Sequence, residues 1–452
     1  MEIEKETLNE LFKRYIKFNT AVGIDKMTYK QFEENIDTHL EIICKNINNN
    51  RFKFSLYKEF LILKGQKKYP RIISIPTIRD KIVLKYIQVS LKEHFGYSIL
   101  QKPPNEYISM LKKSVSKYKY ANKYDISNFY GNINHKILFD KLKSYNVDKD
   151  LLKLIRLAIT TDTVPLYVKS NKKKRKGLPQ GLPISNILAD IYIYEIDKSF
   201  LDLDVKIVRY VDDIIIMYNC DANIINNRLT QFLSELKIKL NKGKTKERIR
   251  LGNDNFTFLG YDYKVIYNKF PGFSVKKDNI YKFERKLISV FVRYDKDIRF
   301  SKEQFIFTLN NLITGTISRK IDGDSEKISR YGWLFFYSQI EDYTVIYNLD
   351  KFISNILIKY QKRKPEKWNK VNISEIKKFL KAFSCIKCND YEYIHRPDDL
   401  TYDEKESLLI NVFKININNI RSSEQVEKLY YKLVYKPVKY VQRDIQGVNS
   451  SL

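Results

Sequence analysis

The chain has 452 residues, 43% of them hydrophobic and 14% aromatic, which is enough for about three domains with sizeable cores. It has no apolar run of about 18 residues, its first residues are acidic and polar, and it has only four cysteines, so we expect a cytoplasmic protein without a membrane span, a secretory leader or a disulfide framework. A net charge of +29, spread along the chain among 34 tyrosines, predicts a nucleic-acid partner rather than an anionic membrane surface.

The first 120 residues alternate between helical and extended patterns. Apolar residues recur at helical spacing before residue 50 and again over residues 82–91. Between these segments, residues 61–63 and 72–75 predict two short strands around a basic turn at residues 64–68. The pattern therefore indicates a helical start followed by a β-hairpin with a cationic tip.

Residues 121–127 predict a strand that carries a carboxylate, Asp125, near its end. The alternative, equally favoured from this segment alone, is that Asp125 caps a helix. Phe129 and Tyr130 follow closely. If the chain stays extended there, the two side chains face opposite ways, so that Phe129 is buried and Tyr130 is not.

A loop rich in glycine and proline spans residues 177–183 and leads into an apolar helix, for which Ser185 is a candidate N-cap. Such a shaped loop suits close approach of the backbone to a nucleotide base or a template strand. A plain strand-to-helix connection is the alternative. The basic run at residues 172–176 is either a solvated loop or a contact to a nucleic-acid backbone.

Two adjacent carboxylates, Asp212 and Asp213, fall between strands predicted at residues 205–209 and 214–217. An ordinary aspartate-containing turn is one interpretation. The other is a metal site, because carboxylates between buried strands need a cation and Mg²⁺ prefers carboxylate oxygens. Phosphoryl transfer to a 3′-hydroxyl uses two metals about 4 Å apart, held by carboxylates from separate segments. A strand carrying Asp125 beside this hairpin supplies the second segment.

Beyond residue 275 the pattern becomes helical almost throughout. A capping box at residues 301–304 opens one predicted helix, and further helices are predicted over residues 331–358 and 373–383. A boundary near residues 270–280 therefore separates an α/β body from a helical region.

Cys385, Cys388 and His395 have the spacing of half a zinc site. The sequence offers no second cysteine pair, and more distant residues would have to complete the ligand set. Ordinary thiols in a helical region are the favoured interpretation.

In their order along the chain, these segments resemble the motifs of bacterial, group II intron-like reverse transcriptases. Three of them resemble the palm motifs: Asp125 with residues 129–130, residues 178–181, and residues 210–213. Further segments are similar to the family's amino-terminal Gly-x-Asp, fingers, Asn-x-x-Lys-Thr and hydrophobic-Leu-Gly motifs: residues 23–25, 71–76, 79–80, 240–245 and 258–260.

The resemblance covers roughly residues 20–275 and implies an α+β fold with right-hand polymerase architecture. By this resemblance the fingers comprise residues 1–120 with part of 136–185, and the palm comprises residues 121–275. Residues 276–452 would form the thumb and an α-helical carboxy-terminal region.

The activity implied is RNA-directed DNA synthesis by two-metal nucleotidyl transfer, from deoxynucleoside triphosphates, with an RNA template and a DNA product. Asp125, Asp212 and Asp213 match the catalytic carboxylates. With the backbone at Ile126 they would hold two Mg²⁺ ions, and Mn²⁺ is an alternative ion. The resemblance also implies a set of nucleotide-binding residues: Lys64, Lys68, Arg71, Tyr130, Gln180, Gly181 and Lys244.

Two members of that set have distinct implied roles. Tyr130 matches the aromatic gate that excludes a ribose 2′-hydroxyl, although a core tyrosine is the alternative. Lys244 matches a proton donor to the pyrophosphate leaving group, with a surface lysine as the alternative. The chain also departs from the family at Asn186, where a proline commonly follows the serine, and at Val211, where retron enzymes usually have alanine.

The tail is similar to the helical extensions of defence-associated and abortive-infection reverse transcriptases, most visibly at residues 329–338 and 348–350. This similarity implies a role in antiphage defence with a structured noncoding RNA. The alternatives are a mobile-element enzyme, of group II intron or retron type, and a non-catalytic nucleic-acid-binding scaffold. Association with a partner protein or with further copies of the chain stays open.

Overall fold

The computed structural model describes residues 2–17, 21–63, 69–96, 102–165, 175–322, 325–416 and 422–435. These residues group into two units. The described part of the first lies within Met1–Lys102 and Tyr118–Arg248, and that of the second within Pro103–Lys117 and Ile249–Ser450. Across the described ranges, no helix has both the length and the apolar character of a membrane span.

The amino-terminal half of the chain is largely helical, and several of its helices begin at polar capping residues. Thr28 and Thr77 accept hydrogen bonds from the backbone N–H groups of Gln31 and Asp80, donors that the first helical turn leaves unpaired. The helices up to residue 235, of which α5 belongs to the second unit, are α1 (Lys5–Leu11), α2 (Tyr29–Glu34), α3 (Ile36–Asn48), α4 (Ile78–Phe95), α5 (Pro104–Ser114), α6 (Phe129–Asn132), α7 (His135–Ser144), α8 (Lys149–Thr160), α9 (Ser185–Ile193) and α10 (Ala222–Glu235), with a π-helical turn (Phe12–Ile16) after α1 and a 3₁₀-helix (Tyr194–Phe200) after α9.

Two sheets lie in the first unit. The end of the described part of this unit, at Arg248, falls within the last strand of the larger sheet. The strands are β1 (Tyr57–Ile62), β2 (Arg71–Ile75), β3 (Tyr120–Asp125), β4 (Thr163–Val164), β5 (Val205–Tyr210), β6 (Asp213–Tyr218) and β7 (Lys246–Arg250). The larger sheet has the order β5-β6-β3-β7, with β6 antiparallel to both of its neighbours. The smaller has the order β2-β1-β4. The strands predicted around the acidic turn and at Asp125 are confirmed.

The core of the first unit includes β6 and α9. Ile214, Ile215 and Ile216 are each at most 1% exposed, so β6 is buried on both faces. Residues Ile187 to Ile193 of α9 are buried as well. Because each fully buried aliphatic side chain contributes about 1.5–3 kcal/mol, the strand that follows the acidic turn is firmly anchored.

The second unit combines two further β-structures with helices. Its strands are β8 (Phe256–Phe258), β9 (Tyr261–Ile266), β10 (Phe270–Val275), β11 (Thr316–Asp322) and β12 (Ser325–Tyr331), ordered β10-β9-β8 and β11-β12. Its remaining helices are α11 (Lys277–Lys296), α12 (Lys302–Thr314), α13 (Trp333–Phe336), α14 (Tyr343–Arg363), α15 (Pro365–Trp368), α16 (Phe379–Cys388), α17 (Tyr402–Asn411) and α18 (Ser423–Tyr430), with a 3₁₀-helix (Ile373–Glu375) and a π-helical turn (Tyr431–Tyr435). The α+β prediction is confirmed.

The prediction that helices continue almost throughout after residue 275 is wrong for β11 and β12. Two glycines lie at the base of this hairpin: Gly315 has φ 69 and Gly332 has φ 129. A Cβ on Gly315 would lie 2.2 Å from the carbonyl oxygen of Tyr331, so only glycine fits. The long helix predicted from residue 331 is therefore divided into α13 and α14. The capping box at Ser301 is confirmed.

Candidate active site

The acidic turn joins β5 to β6 through two residues, because Tyr210 pairs with Asp213 and only Val211 and Asp212 lie between them. Val211 has φ 55, a conformation that β-branched residues rarely adopt. Its side chain is 1% exposed, so packing holds a backbone conformation that is unfavourable by itself. The position of Asp212 thus depends on the burial of its apolar neighbour.

An ion pair ties this hairpin to the helix behind it. The guanidinium Nη1 of Arg209, in β5, lies 2.8 Å from Oδ1 of Asp190, in α9. The Asp190 side chain is only 5% exposed and that of Arg209 only 16%. A buried pair of this kind is costly to break, because either partner left alone is an uncompensated charge. Arg209 and Asp190 therefore fix β5 against α9 one residue before Tyr210.

The register between β3 and β6 brings the carboxylates of separate segments to one end of the sheet. Asp125 is directly paired with Asp213, and the N–H of Ile126 donates to the carbonyl oxygen of Asp212 at 3.2 Å. Residues paired in this way have Cβ atoms about 4.5–5.5 Å apart, and like charges there are destabilising. The register therefore places the three predicted acids at one end of the sheet, and Asp125 ends a strand rather than capping a helix.

Two side chains of the segment before β7 hold Asp125. The ammonium of Lys244 lies 2.9 Å from its Oδ1 and 3.1 Å from its Oδ2, and the Asn241 amide donates to Oδ2 at 3.2 Å. The backbone N–H of Asn241 donates to the carbonyl oxygen of Asp125 at 2.7 Å. Lys123 lies 4.0 Å from the carboxylate of Asp213. Lysine ammonium groups thus face two of the three acids.

Asp212 and Asp213 hold their protons more tightly than ordinary aspartates, because the pKa of each is raised. Burial, with repulsion from Asp213 and Asp125, raises the pKa of Asp212 to about 6, although Lys244 has the opposite effect. Burial also raises the pKa of Asp213, against the attraction of Lys123. A raised carboxyl pKa means that the ionised form is penalised in the folded protein. The turn therefore carries negative charge that a further cation would stabilise.

Tyr130 lies close enough to Asp212 to be affected by its charge, but its backbone conformation and its burial differ from the prediction. It belongs to the short helix α6 and not to a strand, and both it and Phe129 are buried, at 9% and 2% exposure. Its hydroxyl donates to Oδ1 of Asn186 at 2.7 Å. Burial, followed by the nearby carboxylates of Asp190 and Asp212, raises the pKa of Tyr130 well above its usual range, so the hydroxyl stays a donor. The expectation that Tyr130 faces away from Phe129 on a strand is wrong, because Asn128 adopts φ 45 and turns the chain into α6.

The predicted glycine- and proline-rich loop packs on β2. The backbone N–H of Ser74 donates to the carbonyl oxygen of Gln180 at 2.7 Å. Gly181 has φ 100, and a Cβ there would lie 2.6 Å from a side-chain carbon of Ile73. Ser185 does not cap α9. It is the first helical residue, and its hydroxyl donates to the carbonyl oxygen of Pro179 at 2.5 Å. Residues 179–181 of the loop are thereby held by β2 on one side and by the first residue of α9 on the other.

Arg71, the first residue of β2, is the described member of the predicted basic set on the fingers hairpin. Its Nε is buried and has no hydrogen-bond partner in the described ranges. It also lies close enough to lower the pKa of Tyr130, against the larger effect of burial. An arginine with a buried unpaired donor suits an anionic ligand. Lys64 and Lys68 lie outside the described residues.

Gly23, in the Gly-x-Asp segment, and Arg79 and Asp80, in the fingers segment at residues 79–80, have packing roles. Asp80 is fully buried, accepts from the Ser55 N–H at 3.0 Å and is paired with Arg79. Gly23 packs so tightly that a Cβ would lie 2.6 Å from the backbone of Thr77. Gly23, Arg79 and Asp80 therefore fix the start of α4.

The donor chemistry at the acidic turn fits a hard divalent cation, since it consists of carboxylate and carbonyl oxygens with excess negative charge. In the part of the chain that the structure describes, however, no three His, Cys, Asp or Glu side chains converge as a ready-made metal site. The two oxygens of Asp125 accept hydrogen bonds from Lys244 and Asn241 instead. Cys385 and Cys388 form no disulfide in the part of the chain that the structure describes.

Sequence reasoning missed several residues that shape this site. Asn241 belongs to the recognised Asn-x-x-Lys-Thr segment, so its contact with Asp125 could have been inferred by asking why that segment begins with asparagine. The pairing of Arg209 with Asp190 and the proximity of Lys123 to Asp213 have no comparable sequence signal, since they depend on packing and strand register. In the sequence, Asn186 stands out only as a departure from proline.

Comparison with known proteins gives matches over the same part of the chain. A family described as "Reverse transcriptase (RNA-dependent DNA polymerase)" matches residues 62–263. The COX1/OXI3 intron 2 protein of Saccharomyces cerevisiae is 25% identical over 313 residues, covering 53% of this chain and 36% of that protein. The group II intron-encoded protein LtrA of Lactococcus lactis subsp. cremoris is 21% identical over 277 residues, covering 55% of this chain and 46% of LtrA.

The chain thus spans less than half the length of these curated relatives. Among solved structures, apo telomerase from Candida tropicalis, truncated from its C-terminal domain, is similar at 16% identity and a TM-score of 0.37. That similarity covers 47% of this chain and 53% of the telomerase chain.

Proposed function

We propose that the reverse transcriptase domain formed by residues 62–263 makes this chain an RNA-directed DNA polymerase, which adds deoxynucleotides to a 3′-hydroxyl on an RNA template. In this proposal residues 121–275 act as the palm, residues 1–120 with part of 136–185 as the fingers, and residues 276–452 as the thumb and carboxy-terminal region.

The observation that carries the proposal is the register of Asp125 with Asp213, with Asp212 in the adjoining turn. A scaffold that only binds nucleic acid gains nothing from three acids at one end of a sheet, and their mutual repulsion destabilises it. A polymerase needs this arrangement, because its metals are held by carboxylates from separate segments. Catalysis at this turn would account for the electrostatic cost.

The residues proposed to hold two Mg²⁺ ions are Asp125, Asp212 and Asp213, together with the carbonyl oxygen of Ile126. Bound ions would favour ionisation of the attacking 3′-hydroxyl and neutralise charge on the leaving pyrophosphate. The raised pKa of Asp212 supports this role, since an ionised carboxylate that burial penalises gains most from a cation.

The proposed nucleotide site extends from the acids toward β2. Arg71, with Lys64 and Lys68, would bind the triphosphate, and the buried unpaired Nε of Arg71 supports that assignment. Gln180 and Gly181 would contact the nucleotide and the template. Tyr130, which lies close enough to Arg71 and Asp212 for their charges to affect its pKa, would exclude a ribose 2′-hydroxyl.

Lys244 has two proposed positions in the reaction. Without nucleotide its ammonium neutralises Asp125, as its distances of 2.9 and 3.1 Å indicate. When Asp125 takes part in metal binding, Lys244 is released toward the pyrophosphate and donates a proton to it. The hydrogen bond with Asp125 raises the pKa of Lys244, so the ammonium keeps its proton while it is paired with Asp125.

For the biological role we propose antiphage defence with a structured noncoding RNA as template, on the similarity of the tail to defence-associated enzymes. A mobile-element role is the second candidate, because two of the relatives are named as an intron protein and an intron-encoded protein. The net charge of +29 suits either RNA.

Sequencing the nucleic acid that copurifies with the chain tests both levels of the proposal. Wild-type protein and the Asp212→Ala, Asp213→Ala double variant are purified in parallel from the native host. We expect DNA complementary to a host RNA with the wild type only. Equal amounts of DNA from both proteins contradict polymerase activity. DNA copied from one noncoding RNA supports defence, and DNA copied from an intron supports the mobile element.

A further inference from the structure

The hydrogen bond between Tyr130 and Asn186 links the proposed sugar gate to the first turn of α9. The hydroxyl of Tyr130 donates to Oδ1 of Asn186 at 2.7 Å. Asn186 is the second residue of α9. A proline at this position would have no side-chain acceptor for the hydroxyl of Tyr130. Asparagine at this position therefore supplies a hydrogen-bond acceptor, its Oδ1, to Tyr130.

Tyr130 is restrained at more than one point. Its carbonyl oxygen accepts from the N–H of Leu178 at 2.8 Å, and its ring packs against Phe129 with centroids 5.8 Å apart. These contacts and the burial of the side chain, which is 9% exposed, restrain the backbone and the ring, but none of them fixes the hydroxyl at the far end. The Asn186 oxygen is the contact that fixes that end.

The same helical turn also positions the nucleotide-contacting loop. Ser185, next to Asn186, donates its hydroxyl to the carbonyl oxygen of Pro179 at 2.5 Å. Residues 185 and 186 thus connect α9 to both proposed walls of the nucleotide site, the loop through Pro179 and the gate through Tyr130. Because eight of the nine residues of α9 are buried, the helix is a rigid support for both.

We infer that Asn186 is a positioning residue that holds Tyr130 against the sugar and thereby sets the preference for deoxyribonucleotides over ribonucleotides. This inference rests on the proposed polymerase function. A gate excludes a 2′-hydroxyl only by steric contact, so a ring that can swing aside admits the larger sugar. A buried neutral hydrogen bond contributes about 0.5–1.5 kcal/mol net, which corresponds to roughly a 2- to 12-fold change in selectivity.

The test is the ratio of kcat/KM for a deoxynucleotide to that for the matching ribonucleotide, measured with the full chain. Asn186→Ala and Tyr130→Phe remove the same hydrogen bond from opposite ends. We expect each to lower the ratio by about 2- to 12-fold, and the double variant to lower it no further than the single ones. Asn186→Pro, tolerated in the first turn of a helix, should match Asn186→Ala.

The inference is overturned if Asn186→Ala slows both nucleotides equally and leaves the ratio unchanged, or if the two single effects multiply in the double variant. Tyr130→Phe keeps the test decisive should Asn186→Ala fail to fold. If wild-type protein incorporates no deoxynucleotide, the proposed function fails. If it does, and the ratio is unaltered in the variants, only the role of Asn186 fails.

Discussion

Replacing Asp212 with asparagine should stabilise the metal-free protein, although it removes a proposed catalytic residue. Burial and two neighbouring acids raise the pKa of Asp212 from 3.8 to about 6. Because a pKa difference of one corresponds to about 1.36 kcal/mol, the penalty of the ionised form has a ceiling of roughly 3 kcal/mol. Local relaxation and water reduce this penalty, so we expect a gain of about 1–2 kcal/mol.

The sign of the effect depends on pH. An acid whose pKa is raised in the folded state carries no penalty below its unfolded pKa, and the full penalty above its folded pKa. The gain from Asp212→Asn should therefore be complete at pH 8 and shrink as the pH falls through about 6 toward 4.

The assay is thermal unfolding in a metal chelator at pH 8 and pH 5. At pH 8 we expect Tm to rise by roughly 2–8 °C, from about 2–4 °C per kcal/mol for a unit of this size. Asp190→Asn is the matched control, since Asp190 is also buried but has Arg209 at 2.8 Å, and its replacement should lower Tm. An Asp212→Asn variant no more stable than wild type at pH 8, or equally stabilised at both pH values, would refute the reasoning.

Three further variants test other parts of the site. Lys244→Met should lower the maximal polymerisation rate at least about 10-fold, because the proposed proton donor is lost. It should also lower the Mg²⁺ concentration needed for half-maximal rate, because the ammonium that competes for Asp125 is removed. An unchanged Mg²⁺ requirement contradicts this competition. Arg209→Leu should cost about 3–5 kcal/mol in urea unfolding, since it strands Asp190, and a loss below about 1 kcal/mol opposes the pairing. Gly181→Ala should reduce activity, because its Cβ would lie 2.6 Å from a neighbouring carbon, whereas Gly243→Ala, with its nearest atom at 3.6 Å, should not.

The sequence was sufficient to predict the elements that carry strong local signals. The pattern predicts strands rich in β-branched residues on either side of Asp212 and Asp213, and these are present. It also allows a strand over residues 121–127 as one of two interpretations of that segment, and the strand is present and ends at Asp125. The α+β class follows from the same patterns. The pairing of Asp125 with Asp213 depends on strand register, and because β6 is buried on both faces its apolar pattern does not select one register.

Other features had no adequate sequence signal. The strands β11 and β12 have a weak apolar pattern and were predicted as part of a helical region, but Gly315 and Gly332 allow a close approach that ends the helices on either side. Tyr130 was expected on a strand, because the positive φ of Asn128 that starts α6 is not visible in the sequence. Long-range polar contacts such as that of Tyr130 with Asn186 require the folded arrangement.

Extension of a primer on a defined RNA template, with deoxynucleotides and Mg²⁺, tests the central claim most directly. Wild-type chain is compared with Asp212→Asn, whose folding is verified by its raised Tm. We predict extension by the wild type and a rate at least about 1,000-fold lower for Asp212→Asn, because the variant has lost a metal-binding carboxylate. Its higher stability excludes unfolding as the cause of the lower rate. Extension by Asp212→Asn at a rate within about tenfold of wild type would contradict the assignment of the acidic turn as the catalytic centre.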